Sequence, residues 1–519
     1  MPLRLRKVLA DQPVQTRATS VDTMHIGTQL TRTGRWLWAV SGNLDHIALV
    51  RETRGGADTT AWQQAITSGS LADPFSPPPA ALITAKSASH ASSRDDTLGL
   101  DSFIIGSAFT LPAGNANVTL SAKITHETLT SHDSAGDHHL ARTYGSAQFA
   151  LDLPLLSARS PIGALDAGAS LSNDSWSDAG TVQGFGANLN WKPRKSLAML
   201  VSAMRDAMAP TMTQLGAPQN LTPQATLYDF GTGRSVNAAL VTGGNPALIA
   251  DQRQILKVQV EWKPLKGLSL TGTYTDLVDR NPLVLFPAPS AVFEADLSNR
   301  ITRDANSAIS SFDARPFNAT REHRQELRLA GVFSHSFGKS EGPAVPGKGD
   351  FGGGHSFGAS GSMVQFSLVD TIRLNDQLTL VSGGPAYDLV QANPLGEAMR
   401  APRNKIDAQL SATSHGWGLR AGGVWAQGGR DGVGSTGELR FADRLAFSLR
   451  LFWFPERNPN LLQAVPIAKG VRFLLAIDNL FGSWQHVEDR AGTTPLAYQR
   501  WALDPVGRTV RFSIRKELD

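Results

Sequence analysis

The final segment Thr509-Val510-Arg511-Phe512-Ser513-Ile514-Arg515 alternates strictly between polar and apolar residues, and stretches of the same kind recur from one end of the chain to the other. Successive side chains of a strand point to opposite faces. Val510, Phe512 and Ile514 therefore share one face, suited to lipid, while Thr509, Arg511, Ser513 and Arg515 share the other, suited to water. Nowhere does the chain carry the roughly 18 to 20 consecutive apolar residues of a membrane helix. If it enters a bilayer it does so as a closed barrel, because only helices and barrels satisfy every backbone polar group in lipid.

Composition narrows the choice. With 519 residues, 49 of them glycine, 18% charged, 41% hydrophobic and a mean hydropathy of -0.17, the chain is neither disordered nor a helical membrane protein. The absence of cysteine removes disulfides, thiolate metal sites and cysteine nucleophiles. Lys plus Arg number 49 against 45 Asp plus Glu, spread singly through the strand-like stretches, so no nucleic-acid partner is expected.

Turn-forming residues punctuate the period-two stretches. Met24, Ile26 and Leu30 lead to Thr33-Gly34, and Trp36, Trp38, Val40 and Leu44 form the return strand. Leu98 to Phe109 and Val118 to Ile124 flank the turn Leu111-Pro112-Ala113-Gly114. Leu256, Val258, Val260 and Trp262 precede Leu268, Leu270 and Tyr274, and further strand pairs are expected at 361–381, 402–427, 437–454 and 467–481. Roughly eighteen candidate strands result, many of the ~9 to 11 residues that a tilted barrel strand needs. Long loops at about 52–96, 206–250, 281–321, 339–358 and 384–401 alternate with short turns, the asymmetry of an outer-membrane barrel. Trp191-Lys192-Pro193 and Trp262-Lys263-Pro264 each close a strand. The tryptophan suits the headgroup region, the lysine can reach outward, and the proline sits where no ladder donor is needed.

Three segments imitate chemistry and fail on context. Gly354-His355-Ser356-Phe357-Gly358 has the G-x-S-x-G spacing of a nucleophile elbow but lies in a glycine-dense stretch with no helical pattern after it. The segment from Gly342 to Gly349 resembles a phosphate loop, yet Gly349 stands where Ser or Thr must hold magnesium. His126, His132, Asp133, Asp137, His138 and His139 crowd what reads as one solvated loop, with a spacing that fits no standard metal set. No catalytic, cofactor-binding or metal residue is assigned, and no enzyme activity is expected.

Several segments resemble the barrel region of TonB-dependent outer-membrane receptors. The strongest is terminal: Ile477-Asp478-Asn479-Leu480-Phe481, then Leu503-Asp504-Pro505-Val506-Gly507-Arg508 turning into the last strand. In order upstream come Trp191-Lys192-Pro193, the run from Ala209 to Leu215, Gly243-Gly244-Asn245-Pro246, Asp279-Arg280-Asn281-Pro282-Leu283 and Arg303-Asp304-Ala305. The resemblance implies an all-β antiparallel transmembrane barrel of roughly 18–22 strands with long outer loops and short periplasmic turns. It also implies TonB-dependent uptake of a scarce nutrient such as an iron chelate, cobalamin or an oligosaccharide.

The expected organisation is a short non-barrel leader over residues 1–20 and a receptor-like barrel over 21–519. No signal peptide is read in the opening segment, and no plug domain or TonB box is read ahead of the barrel. The terminal Glu517-Leu518-Asp519 stands where the family has an aromatic residue. These departures point to a plug-less or truncated form lacking the coupling step. Two alternatives stay open: a passive porin-like channel, whose lumenal Lys257, Arg511 and Arg515 favour anions, and a secreted soluble β-rich binding protein. The expected surroundings are outer-membrane lipid, with a monomeric chain, no cofactor, and a small-molecule nutrient whose identity and contact residues the sequence does not supply.

Overall fold

The structure, a computed structural model, describes residues 16–70, 73, 76–85, 88–133, 136–285, 289–337, 362–390, 402–432, 435–457 and 459–517. Among them, period-two patterning becomes one antiparallel sheet. Its strands are β1 (Thr16–Arg32), β2 (Trp36–Arg54), β3 (Ser89–Leu111), β4 (Gly114–Asp133), β5 (Gly136–Leu156) and β6 (Ala164–Trp176). They continue with β7 (Gly180–Arg194), β8 (Leu197–Met208), β9 (Asp251–Leu265), β10 (Leu268–Arg280), β11 (Arg321–Phe337) and β12 (Ser362–Thr379). The last are β13 (Asn404–Ser414), β14 (Trp417–Ala426), β15 (Arg444–Trp453), β16 (Val471–Asp478) and β17 (Thr509–Lys516). Each pairs with its neighbours in chain order, and the short strand Ala386–Asp388 on the end of β12 brings the sheet to 18 strands. Among the described residues no helix is long and apolar enough to cross a membrane.

Register sorts the side chains. Because Leu120 faces Phe149, Phe149 faces Leu171 and Leu451 faces Leu475, which faces Phe512, the apolar residues of successive strands fall on one common face. On β17, Val510, Phe512 and Ile514 are 60–65% exposed, as residues meant for lipid are in the absence of a bilayer. At the short-turn end of this face Trp417 stacks on Trp453 at 5.2 Å and Trp453 on Phe473 at 5.1 Å. Trp191 and Trp262 join that belt at the ends of β7 and β9. Lys263 departs from its expected outward reach, because alternation puts it on the same face as Glu261, with which it pairs at 2.8 Å.

Tight connections follow their sequences. Leu111 and Gly114 pair across the expected turn between β3 and β4. At the two-residue turn between β13 and β14, His415 and Gly416 both take positive φ, 45° and 85°, the backbone that a tight hairpin requires.

Several boundaries differ from the sequence reading. The first strand starts at Thr16, inside the segment expected as a leader, because Thr16 is already in register with Arg54. The same pairing narrows the 52–96 loop to 55–88, and β3 to β5, at 20 to 23 residues, extend well beyond the length a membrane needs. The spans 361–381, 437–454 and 467–481 each contribute one wall strand rather than a hairpin, while 402–427 forms the pair β13–β14. The connection 338–361 joins β11 to β12 at the end that carries the short turns, so the long connections do not all share one end. Conversely, 427–443 and 479–508 are long connections at the opposite end, into which the expected strand spans 437–454 and 467–481 extend. The segments Gly342–Gly349 and Gly354–Gly358, and residues Leu518 and Asp519, lie outside the described residues.

Candidate functional site

The buried apolar residues of this molecule concentrate in the long loops rather than in the strands. That distribution follows from the chemistry: a lipid-facing wall needs no water-excluding core of its own, whereas loops that hold a shape in water do.

The loops knit together through small sheets. Strand 234–242, from the β8–β9 loop, pairs in parallel with Ile309–Asp313 from the β10–β11 loop. Leu439–Phe441, from the β14–β15 loop, pairs with Val487–Glu488 from the β16–β17 loop. Under the first sheet Phe293 meets Phe312 and Phe317 edge-on at 5.5 and 5.7 Å, with Ile309, Val284 and Leu378 around them. Beside the second, Tyr228 and Phe230 pack on Leu439, Phe441, Val487 and Tyr498. Gly437 lies so close to the Phe230 backbone that a Cβ there would come within 2.7 Å. These loops leave the wall from β8–β11 on one side and β14–β17 on the other, so their union bridges the mouth of the curved sheet.

One buried charge cluster fixes the bridge. Asp229 is fully buried and receives Arg303 through Nη1 at 2.9 Å and Nη2 at 3.1 Å. Arg303 also grips Glu294 through Nε and Nη2, both at 2.5 Å. Burial pushes the Asp229 carboxyl up, but the hydrogen bonds from Arg303, Thr232 and Gly231 outweigh it and hold it below its ordinary value. The Glu294 and Asp229 carboxylates raise the affinity of Arg303 for its proton. Burial, with Asp489 and Asp229 nearby, pushes the Tyr228 hydroxyl up to about 12.

A further part of the β8–β9 loop turns into the mouth. The helix Met212–Gly216 is capped by Thr211, whose hydroxyl accepts from the Gln214 N–H at 3.2 Å while Gln214 Oε1 accepts from the Thr211 N–H at 2.8 Å. Met212 and Leu215 bury against Leu129 of β4. Ser131 donates to the Gly216 carbonyl at 2.7 Å, and Arg142, bidentate on Asp178, donates to the Pro210 carbonyl at 2.5 Å. Leu129, Ser131 and Arg142 belong to the polar face, which identifies that face as the inner one.

The lumenal face is charged unevenly. On β3–β6 register places Asp95, Asp101, Glu127, Asp133, Asp152, Asp166 and Asp174 there, against Lys123 and Arg142. On β14–β17 it places Arg420, Arg444, Arg450, Arg472, Arg511 and Arg515 there, against Asp478. A concavity of about 830 Å³ lies on the other, apolar face, between residues such as Leu120, Phe149 and Leu171, and faces away from these charges.

The histidine-rich segment is a strand pair, not a loop. His126 and His132 lie on β4, Asp137, His138 and His139 on β5, and His132 Nδ1 meets Asp137 Oδ1 at 2.5 Å. His138 pairs with Ser131 on the inner face while His132 and His139 point outward, so alternation splits the cluster. Among the described residues no group of three or more His, Cys, Asp or Glu is arranged to hold a metal ion.

The segments that carried the sequence resemblance are the knots of this assembly. The Asn245 N–H donates to the Gln214 carbonyl at 2.8 Å, Asn281 takes φ 59° and accepts from Asn318, and Arg303 holds the charge cluster. Asn479 donates to Asp504 at 3.2 Å, Asp504 caps the Gly507 N–H at 2.9 Å, and Arg508 reaches the Leu480 carbonyl at 3.3 Å, so the two halves of the terminal signature clasp the base of the last loop. Sequence reasoning missed Asp229 and Glu294, because partners 74 and 9 residues away from Arg303 leave no periodic trace.

No protein-family model matches the chain, and no curated protein sequence matches it. Solved structures do. The RagAB peptide transporter aligns with a TM-score of 0.52 at 10% identity, over 92% of this chain and 59% of that one. The siderophore receptor PirA of Acinetobacter baumannii aligns at 0.49 and 11% identity, over 92% of this chain and 61% of that one. PirA of Pseudomonas aeruginosa aligns at 0.48 and 11% identity, over 95% and 70%. The chain thus spans about three fifths of the length of RagAB and of the Acinetobacter protein. At such identity the likeness is one of fold, that of a large antiparallel β-barrel.

Proposed function

We propose that this chain is the wall and outer cap of an outer-membrane receptor for TonB-dependent uptake of a scarce small-molecule nutrient, with its barrel wall beginning at Thr16. The observation that carries this reading is the folded cap: loops from opposite parts of the wall share buried aromatic cores and a buried ion cluster above a polar lumen. A passive pore gains nothing from such a lid, whereas a receptor needs an ordered outer surface. The polar inner face suits water and solute, as the lumen of a transporter does.

The test uses the cysteine-free background. Ala491→Cys, in the last outer loop, should react with a membrane-impermeant maleimide on intact cells, and those cells should accumulate one labelled iron chelate, cobalamin or oligosaccharide only while the inner membrane is energised. Lack of labelling refutes the outer-surface location, and energy-independent accumulation refutes coupled uptake.

A second reading, a passive channel, draws support from the six lumenal arginines of β14–β17. Steady conductance of the purified chain in planar bilayers would favour it.

A further inference from the structure

The lumenal arginines of β14–β17 are arranged in direct opposition. Arg420 of β14 faces Arg450 of β15, Arg450 faces Ala476 of β16, and Ala476 faces Arg511 of β17, which sets three guanidinium groups in one row across four strands. Nearer the short-turn end Arg472 faces Arg515. Like charges directly opposite on adjacent strands repel, and a guanidinium does not relieve the repulsion by losing its proton. Within the row Asp478 lies 3.6 Å from Arg450, and Glu517, beyond the end of β17, reaches Arg472 at 3.0 Å. Four consecutive strands thus carry six arginines and one aspartate on this face.

We infer that this wall is a binding station for a diffusible small oxyanion, with a phosphate or carboxylate group held by Arg420, Arg450 and Arg511 and relayed toward Arg472 and Arg515. Guanidinium forks match the oxygen pairs of both groups, and a cleft lined by one sign of charge raises the local concentration of the opposite sign. The oxyanion removes the repulsion that the register creates. The carboxylate-rich wall of β3–β6 repels the same ion, which confines it to the arginine side. The inference rests on the reading of the polar face as a solvent-filled lumen.

The experiment is calorimetric titration of the full refolded chain in detergent with inorganic phosphate, ionic strength held constant with chloride. Saturable binding is expected, weakened about tenfold or more in the double variant Arg420→Gln/Arg450→Gln. Without phosphate that variant should unfold at a higher urea concentration than the parent, because a repulsion has gone. If it fails to fold, Arg472→Gln/Arg515→Gln provides the same comparison. Heats that chloride reproduces, or equal binding by parent and variants, overturn the station. The same samples are checked for detergent dependence and a heat-modifiable gel shift. A chain that stays soluble without detergent removes the lumen and the station together, whereas a heat-modifiable barrel indifferent to phosphate removes the station alone.

Discussion

The backbone N–H of Ala497 donates to Ser235 Oγ at 3.0 Å, joining residues 262 positions apart in the chain. Ser235 belongs to the loop between β8 and β9 and Ala497 to the loop between β16 and β17, so a single bond spans the mouth of the wall. Because the chain contains no cysteine, the double substitution Ser235→Cys/Ala497→Cys reports this contact without background. It should form an intramolecular disulfide under mild oxidation, seen as faster migration on a non-reducing gel. Two free thiols after oxidation would show that the loops do not meet.

Replacing Arg303 with Met leaves Asp229 and Glu294 without their cation. Breaking a buried ion pair on one side costs about 3–5 kcal/mol, here charged to the cap and not to the wall. The variant should become sensitive to limited proteolysis between residues 220 and 313 while keeping the heat-modifiable mobility of a folded barrel.

Gly437→Ala forces a methyl group against the Phe230 backbone, with contacts of 2.7 Å. Overpacking of this kind costs about 1–3 kcal/mol. The expected result is early cleavage in the 427–443 loop, and the neighbouring half-buried Gly429, where a Cβ meets nothing within 4 Å, serves as the neutral comparison.

Acid should open the cap. At Asp229, Asp313 and Asp489 burial pushes the carboxyl up, but hydrogen bonds from Arg303, Arg315 and Thr493 respectively prevail, and all three stay below their ordinary value of 3.8. Their contribution is fully present above that unfolded value and is lost as pH falls through the lower folded values. Protease resistance of the loops should therefore persist at pH 5 and disappear at strongly acidic pH, with the strand signal in circular dichroism retained. Loss of resistance between pH 7 and 5 would contradict this account.

Alternation made the wall legible in the sequence, because lipid on one side and water on the other impose the same period on every strand. Val510 and Phe512 are assigned to the lipid face by alternation alone. The cap was not legible in that way. Phe230, Phe293 and Val487 are buried by partners far away in the chain, and short loop strands such as Leu439–Phe441 are too brief to show a period. Resemblance succeeded where periodicity failed: Asn479, Asp504 and Arg303 sit at knots that depend on specific hydrogen bonds. The histidine cluster misled because proximity in sequence says nothing about face once the residues lie on strands.

Among the described residues β1 pairs with β2 alone and β17 with β16 alone, and both outermost strands run from the capped end toward the short-turn end. Two edges of equal polarity joined directly would meet as a parallel pair, with slanted and weaker hydrogen bonds. Any antiparallel seam between them must contain an odd number of additional strands. The direction of travel of β1 and β17 thus acts as a parity rule on whatever closes the cylinder, set before any side chain is consulted.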